Sequence, residues 1–432
     1  MKITAIRLML VIYLFIYCPL RAGHPDTPSI EDIKHVLDRI KDHLVQVTPY
    51  RFYDRVTGET ITDFTQLADA YAAELPGGQS IWTYEVGVIN SAMVLCTQVT
   101  GDTTYLDYTE RSYQFFFDHL DYIKKLRLEI ERDRRRFGKM VDPQELDDCG
   151  SMGAALIKVD RERPDSRYSQ IINLIADFIS KKQLRLEDGT FARSGYGDWQ
   201  YSLWTDDLYM SVPFLVQMGK LSGENKYYDD AVRQVLNFAA YLFVEETGLF
   251  DHGWFSNMPD DPHIYWGRQN GWAMMAIVEL LTVLPEDYPG REHILTIYKN
   301  DVKALSQLQG TNGLWHQLLD KSDTYSETSC SAMYTFAIAR GVNQEWIAPQ
   351  SASVAFAAWK ALVEKVTTDG QIEGVCVGTS LAYDVTYYVS RQQKLTAYHG
   401  YGPMLAAGAE LIQLLKNYDV REENHLDHYW RK

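Results

Sequence analysis

The sequence predicts an all-α protein, an (α/α)6 barrel of six helical hairpins with its active site at one mouth. Three observations predict it. The 3.6-residue apolar period dominates, and the two-residue alternation of strands is hard to find. That period marks helices at roughly 30–47, 85–99, 104–119, 148–160, 166–184, 204–220, 225–243, 270–284, 290–308, 327–340, 350–366 and 400–416. Aromatic and charged residues then recur where the first helix of each pair begins: Trp82-Thr-Tyr84-Glu85, Leu146-Asp-Asp148, Trp204-Thr-Asp206, Trp266-Gly-Arg268, Glu327-Thr-Ser329 and Tyr398-His399-Gly400-Tyr401. Stacked helix pairs form an open solenoid or a closed ring. Only a ring brings six such openings to one cavity, so closure is the expectation.

Residues 1–23 read as a secretory signal, with Lys2 and Arg7 before the apolar run Leu8–Tyr17 and a small-residue site at Ala22-Gly23. The run is short for a membrane span. Tyr17 stands where a lipoprotein signal calls for a small residue before Cys18, which argues against lipidation. Export, with a periplasmic destination, is therefore expected. No linker divides residues 24–432, which read as one catalytic domain. A repeat punctuates them: Gly101-Asp-Thr-Thr-Tyr105-Leu-Asp107 and Gly223-Glu-Asn-Lys-Tyr227-Tyr-Asp229 each end one helix at Gly and begin the next.

The net charge is −16, and loss of Lys2, Arg7 and Arg21 with the signal makes it about −19. Such a surface repels nucleic acid and anionic membranes, and an anionic substrate would need local cations. Cys96, Cys149, Cys330 and Cys376 are scattered and read as buried thiols, with no zinc spacing. Phosphate-loop patterns and a serine nucleophile elbow are absent, so neither cofactor nor metal is expected.

The chemistry concentrates in a few loops. In Trp204-Thr-Asp-Asp-Leu-Tyr-Met210 only one of the adjacent carboxyls can face a given pocket, because successive helical residues diverge by about 100°. A carboxyl beside a Trp is a candidate proton donor, and the competing reading is a simple helix N-cap. His252-Gly-Trp254 and Tyr265-Trp-Gly-Arg268-Gln-Asn-Gly-Trp272 offer rings for sugar faces and an Arg for a carboxylate, against an aromatic corner between helices. His316 reads as packing or capping. The glycines of His399-Gly-Tyr-Gly402-Pro403 suggest close backbone approach to a neighbour or ligand. Asp384 and the Tyr387-Tyr388 pair are candidates for the rim. The basic stretch 124–139 reads first as a solvated helix end, and second as a clamp for sulfate or uronate leading into the Asp148 loop.

These motifs, taken in order, resemble glycoside hydrolase family 105, the unsaturated rhamnogalacturonyl hydrolases and their relatives. The resemblance runs from about residue 80 to 416. It rests on W-T-Y-E-x-G at 82–87, L-D-D-C-G-x-M-G at 146–153, W-x-D-D-L-Y-M at 204–210, H-G-W at 252–254, W-G-R-x-N-G-W at 266–272, G-L-W-H-Q at 313–317, E-T-S-x-S-A-M at 327–333 and H-G-Y-G-P at 399–403. It implies an (α/α)6 barrel acting on lyase-generated oligosaccharides that carry a 4,5-unsaturated uronic acid. By motif position Asp206 would be the proton donor, and Asp148 a second carboxylate holding sugar hydroxyls and favouring a protonated Asp206. His252 and Arg268 would hold the substrate, with Tyr84, Trp204, Trp266, Trp272 and His399 around the unsaturated ring. Members acting on rhamnogalacturonan can carry a Lys where this chain has Tyr196, which leaves ulvan and rhamnogalacturonan both open as sources. Two rivals remain at this point: a polysaccharide lyase using His252, Tyr265 and Arg268, and a non-catalytic glycan-binding protein.

Overall fold

Twelve helices form two concentric rings in the computed structural model, which describes residues 27–54, 56–67, 70–71, 81–129, 137–194, 200–258, 262–423 and 426–432. The signal-like segment 1–23, Tyr196 and residues 130–136 of the basic stretch lie outside the described residues. In chain order the ring helices are α1 (Ile30–Val47), α2 (Tyr84–Thr100), α3 (Thr104–Asp118), α4 (Gly150–Glu162), α5 (Tyr168–Asp177), α6 (Asp207–Ser222), α7 (Asn225–Leu242), α8 (Gly267–Leu281), α9 (Arg291–Leu308), α10 (Thr328–Asn343), α11 (Ala352–Val363) and α12 (Tyr401–Asn417).

The even-numbered helices make the inner ring. Each packs on the next, and α12 packs back on α2. Helices α3, α5, α7, α9 and α11 each back the inner helix that precedes them, while α1 packs on α12. The two ends of the chain thus supply the sixth pair, and this closes the ring.

Sequence explains which helices go inside. Helix α8 buries every residue except Glu279, which suits an element surrounded on all sides. Helix α1 instead buries the stripe Ile33, Val36, Leu37, Ile40, His43 and Leu44, the spacing of a helix with one wet face. Both repeat glycines stop their helices as expected: Gly101 (φ 76°) and Gly223 (φ 72°) are left-handed, and their N–H groups reach Thr97 O and Gly219 O. Gly402 answers the question its motif raised. A Cβ there would lie 2.5 Å from Val88 Cγ1, so the close neighbour is helix α2 at the ring closure.

Strands are more numerous than the periodicity suggested. Residues 193–194, 201–204 and 253–255 form a small antiparallel sheet at the mouth, and Tyr418–Glu423 pairs with Leu426–Arg431 as a hairpin after α12. The four cysteines beyond the signal are buried free thiols.

Candidate active site

Asp206 and His252 meet because of the mouth sheet. Strand 201–204 pairs with 253–255 in the register Trp204↔Gly253, and Thr205 N–H continues the ladder to His252 O at 3.0 Å. Two motifs distant in sequence are thereby laid side by side, with Asp206 Oδ2 3.2 Å from His252 Nε2. The two atoms are close but not aligned for a hydrogen bond, and neither has a hydrogen-bond partner among the described residues. Asp206 occupies the N-cap position of α6, yet its side chain makes no capping bond. The capping reading of this carboxyl therefore fails, and its oxygen faces an imidazole instead.

His252 is 1 % exposed and held from behind. Its Nδ1 lies 2.5 Å from Tyr388 Oη, and its ring packs 4.9 Å from Trp266. Tyr388, a rim candidate from sequence, is buried in the short helix Val385–Val389. Asp384 caps that helix by accepting from Thr386 N–H at 2.8 Å.

Asp207 turns the other way, as helical geometry requires. It is fully buried and takes Arg193 Nε at 3.0 Å and a terminal Arg193 nitrogen at 2.6 Å. The same terminal nitrogen reaches Asp147 Oδ1 at 2.9 Å, and the guanidinium lies 4.3 Å over the Trp204 ring. Burial pushes the Asp207 carboxyl up to about 6 against the pull of Arg193, with the charges of Asp147 and Asp206 adding to the rise. Sequence reasoning missed Arg193, which sits in no motif.

Asp148 is more committed than the sequence reading supposed. Its Oδ2 accepts from Gln144 N–H (2.9 Å) and Glu145 N–H (3.3 Å), and its Oδ1 pairs with Lys139 Nζ at 2.7 Å. A carboxylate has about four acceptor sites, so roughly one remains for a sugar hydroxyl. Its company is Lys139 rather than Asp206. Lys139 closes the basic stretch, so the end of that stretch does reach the Asp148 loop. Lys124 and Arg127 pair instead with Asp121 and Asp142.

Next to the Asp148 loop, Tyr84 opens α2, the inner helix that packs on α4, and its Oη lies 2.7 Å from His399 Nε2. Burial, with the Arg268 charge adding, holds the His399 imidazole well below its usual range, so it is neutral. Burial also raises the neighbouring Glu85 carboxyl. Trp272 is 2 % exposed and packs between Tyr84 and Tyr209, forming the floor beneath Tyr84.

Arg268 departs most from expectation. It is 1 % exposed, and its terminal nitrogens donate to Cys376 O (2.6 Å) and Val377 O (2.7 Å). Both terminal nitrogens are engaged by backbone, so Arg268 anchors the 376–377 loop, and these two bonds use two of its five N–H donors. Glu327, fully buried at the N-cap of α10, holds the same loop through Cys376 N–H at 2.9 Å. Trp266, 1 % exposed and 4.6 Å from the Arg268 guanidinium, is likewise a wall behind His252 and no open platform. His316 packs as expected, with Nδ1 2.6 Å from Thr324 O.

Fold and site together define a class: a closed (α/α)6 barrel whose inner helices begin at one mouth, around an acid–imidazole pair. The chain belongs to Glycosyl Hydrolase Family 88, whose family model matches residues 52–415. Over 178 residues it is 33% identical to the unsaturated 3S-rhamnoglycuronyl hydrolase of Alteromonas sp. (strain LOR), covering 40% of this chain and 43% of that protein. It is 26% identical over 270 residues to the unsaturated rhamnogalacturonyl hydrolase YesR of Bacillus subtilis (strain 168), covering 62% and 77% of the two chains. The match thus spans less than half the length of the first of these relatives. A possible member of the GH105 family from Klebsiella pneumoniae subsp. pneumoniae MGH 78578 has the same fold, with a TM-score of 0.74 at 21% identity over 94% of this chain and 99% of that one. The family 105 label on that neighbour is the one the sequence motifs pointed to.

Proposed function

We propose that this protein is an unsaturated glycuronyl hydrolase. It removes the 4,5-unsaturated uronic acid from the non-reducing end of rhamnose-containing oligosaccharides released by polysaccharide lyases, by hydrating the C4=C5 bond. The observation that carries the reading is the sequestered Asp206–His252 pair at the mouth. In this scheme the Asp206 carboxyl gives its proton to C4, and water adds to C5 while the Asp206 carboxylate takes the water's proton. The resulting hemiketal opens, the glycosidic C–O bond breaks, and the next sugar leaves. Asp148 receives a sugar hydroxyl, and Tyr84, His399 and Trp204 surround the ring.

The names of the relatives favour rhamnose as the neighbouring sugar, from ulvan or rhamnogalacturonan. The N-termini of six inner helices surround the mouth, and their dipoles favour an anionic uronate there despite the acidic surface. The signal-like start supports an exported, periplasmic protein.

The test is the ultraviolet absorbance of the conjugated double bond on mixing enzyme with lyase products of ulvan and of rhamnogalacturonan. A fall with one substrate, lost in Asp206→Asn by a factor of about 10² to 10⁴, is expected. A rise on intact polymer would identify a lyase, and no change on any unsaturated oligosaccharide would sink the hydrolase reading.

A further inference from the structure

The far end of the barrel holds a cavity of about 150 Å³ between the inner helices. At about 1.5 Å of rise per helical residue, Arg161 on α4 and Lys220 on α6 lie about 16 Å and about 20 Å beyond the starts of their helices at the mouth. Tyr209, the third residue of α6, lines the opposite extreme of the cavity. Its ring packs 4.9 Å from Trp272, so two aromatic rings stand between this cavity and the mouth.

The walls are basic in a chain whose net charge is −16. Lys158, Arg161, Lys220 and Arg340 line the cavity with one carboxylate, Glu279. Glu279 is taken, since Lys158 Nζ donates to its two oxygens at 3.2 and 3.0 Å. Arg340 is taken as well, its Nε donating to Glu410 at 2.7 Å. Arg161 and Lys220 have no carboxylate partner among the described residues. Burial, with the charges of Arg161 and Lys158 adding, loosens the hold of Lys220 on its proton.

Two buried side chains add donors without acceptors. Gln217 is 4 % exposed, and its Oε1 accepts from Arg161 at 2.9 Å. That bond sets the orientation of the amide and leaves Nε2, which can only donate, without a partner among the described residues. Ser91 on α2 is 8 % exposed, and its hydroxyl makes no hydrogen bond among them either. Cations in the last turns of α4 and α6 also answer the helix dipoles, but this does not account for the two donors. Water would serve the donors and leave the surplus charge unanswered.

We propose that this cavity binds a doubly charged tetrahedral oxyanion of the phosphate or sulfate type, with Arg161 and Lys220 supplying the charge and Gln217 and Ser91 the inner hydrogen bonds. Pockets for larger ligands run to about 300–1,000 Å³, so the space suits a small ion and not a sugar chain. The site is separate from the mouth and does not depend on the hydrolase reading.

Isothermal titration calorimetry of the whole protein tests this, with sodium phosphate and sodium sulfate titrated separately in a chloride buffer of constant ionic strength. Saturable binding of one ion per chain is expected for at least one of the two, and the preference between them names the ligand. Lys220→Met removes an exposed cation that holds nothing else, and should weaken binding about tenfold. Gln217→Glu keeps an oxygen for Arg161 but replaces the free donor with a negative acceptor, and should abolish saturable binding. Thermal unfolding of both variants without oxyanion separates loss of the site from loss of the fold. A wild type that gives no saturable heat with either ion overturns the proposal. So does a folded variant of either kind that keeps the wild-type affinity, because the ion would then lie elsewhere, the mouth included.

Discussion

Arg193 grips Asp207 through two nitrogens, at 3.0 and 2.6 Å, with side chains only 14% and 1% exposed. The acid beside the proposed donor is thereby turned away from the mouth and tied to Asp147 on the neighbouring α4 loop. Burial lowers the affinity of Arg193 for its proton, but Asp147 and Asp207 outweigh this and raise it well above the usual value. The two partners respond differently for a physical reason: one guanidinium serves several carboxylates, and each carboxylate feels the others' repulsion.

Removing that cation should be costly. Arg193→Met leaves Asp207 buried without a counter-charge, and breaking a buried pair from one side costs about 3–5 kcal/mol. Urea unfolding of the variant at neutral pH measures it. A loss below about 1 kcal/mol would mean that Asp207 simply takes up a proton at little expense.

Asp207 should also leave a mark on the pH dependence of stability. Its folded value, about 6, lies above the ordinary 3.8, so the native state binds this proton more tightly than the unfolded chain. Its contribution is complete below about 3.8 and is lost as pH rises through about 6. Subtracting the unfolding free energies of Asp207→Asn from those of the wild type between pH 4 and pH 7 should show that decline. A difference that grows with pH would reverse the sign and refute the assignment.

The two carboxylate loops depend on one glycine. A methyl group on Gly150, in the 146–153 motif, would collide with Met210 O at the end of the 204–210 motif. This contact lets α4 and α6 start close enough for Arg193 to bridge Asp147 and Asp207. Gly150→Ala should cost about 3 kcal/mol or more through overpacking and lower activity as well, read by thermal unfolding and turnover together. Gly101→Ala, with nothing within 4 Å of its added Cβ, separates crowding from backbone strain, because its cost would come from its left-handed φ alone.

The Lys139–Asp148 pair invites a double-mutant cycle. Lys139→Met and Asp148→Asn should each lower stability by about 1–3 kcal/mol. The double variant should lose less than their sum by about 0.5 kcal/mol or more. Asp148→Asn should also raise KM more than it lowers kcat, since the proposed donor is untouched. Strict additivity would show that the 2.7 Å contact contributes nothing in solution.

Most of the barrel was legible because inner and outer helices advertise themselves locally, through apolar period, glycine stops and the recurring aromatic openings. Asp206 and His252 were legible because their motifs are dense in chemistry. What sequence could not supply is which atoms face each other. Tyr388 acts 136 residues away from His252, and Arg193 reaches three carboxylates from a two-residue strand with no signature. Arg268 looked like a substrate clamp because an Arg among tryptophans suits a carboxylate. Only the position of the 376–377 carbonyls shows both its terminal nitrogens to be engaged.

His399 provides the opposite sign to Asp207. Burial keeps its folded value well below the ordinary 6.5, so the unfolded chain takes up the proton first as pH falls. Its contribution to stability is present above about 6.5 and is lost as pH drops toward the folded value. With the ring neutral, Nε2 can accept from Tyr84 Oη at 2.7 Å, which fixes the tyrosine at the edge of the site. Proton NMR of the His399 ring from pH 8 to pH 5 should show no titration. The Tyr84→Phe variant should keep that behaviour, because burial and not the hydrogen bond is the leading cause. A His399 that titrates near 6.5 in the wild type would mean that the mouth admits water to this side, and the neutral Tyr84–His399 wall would have to be abandoned.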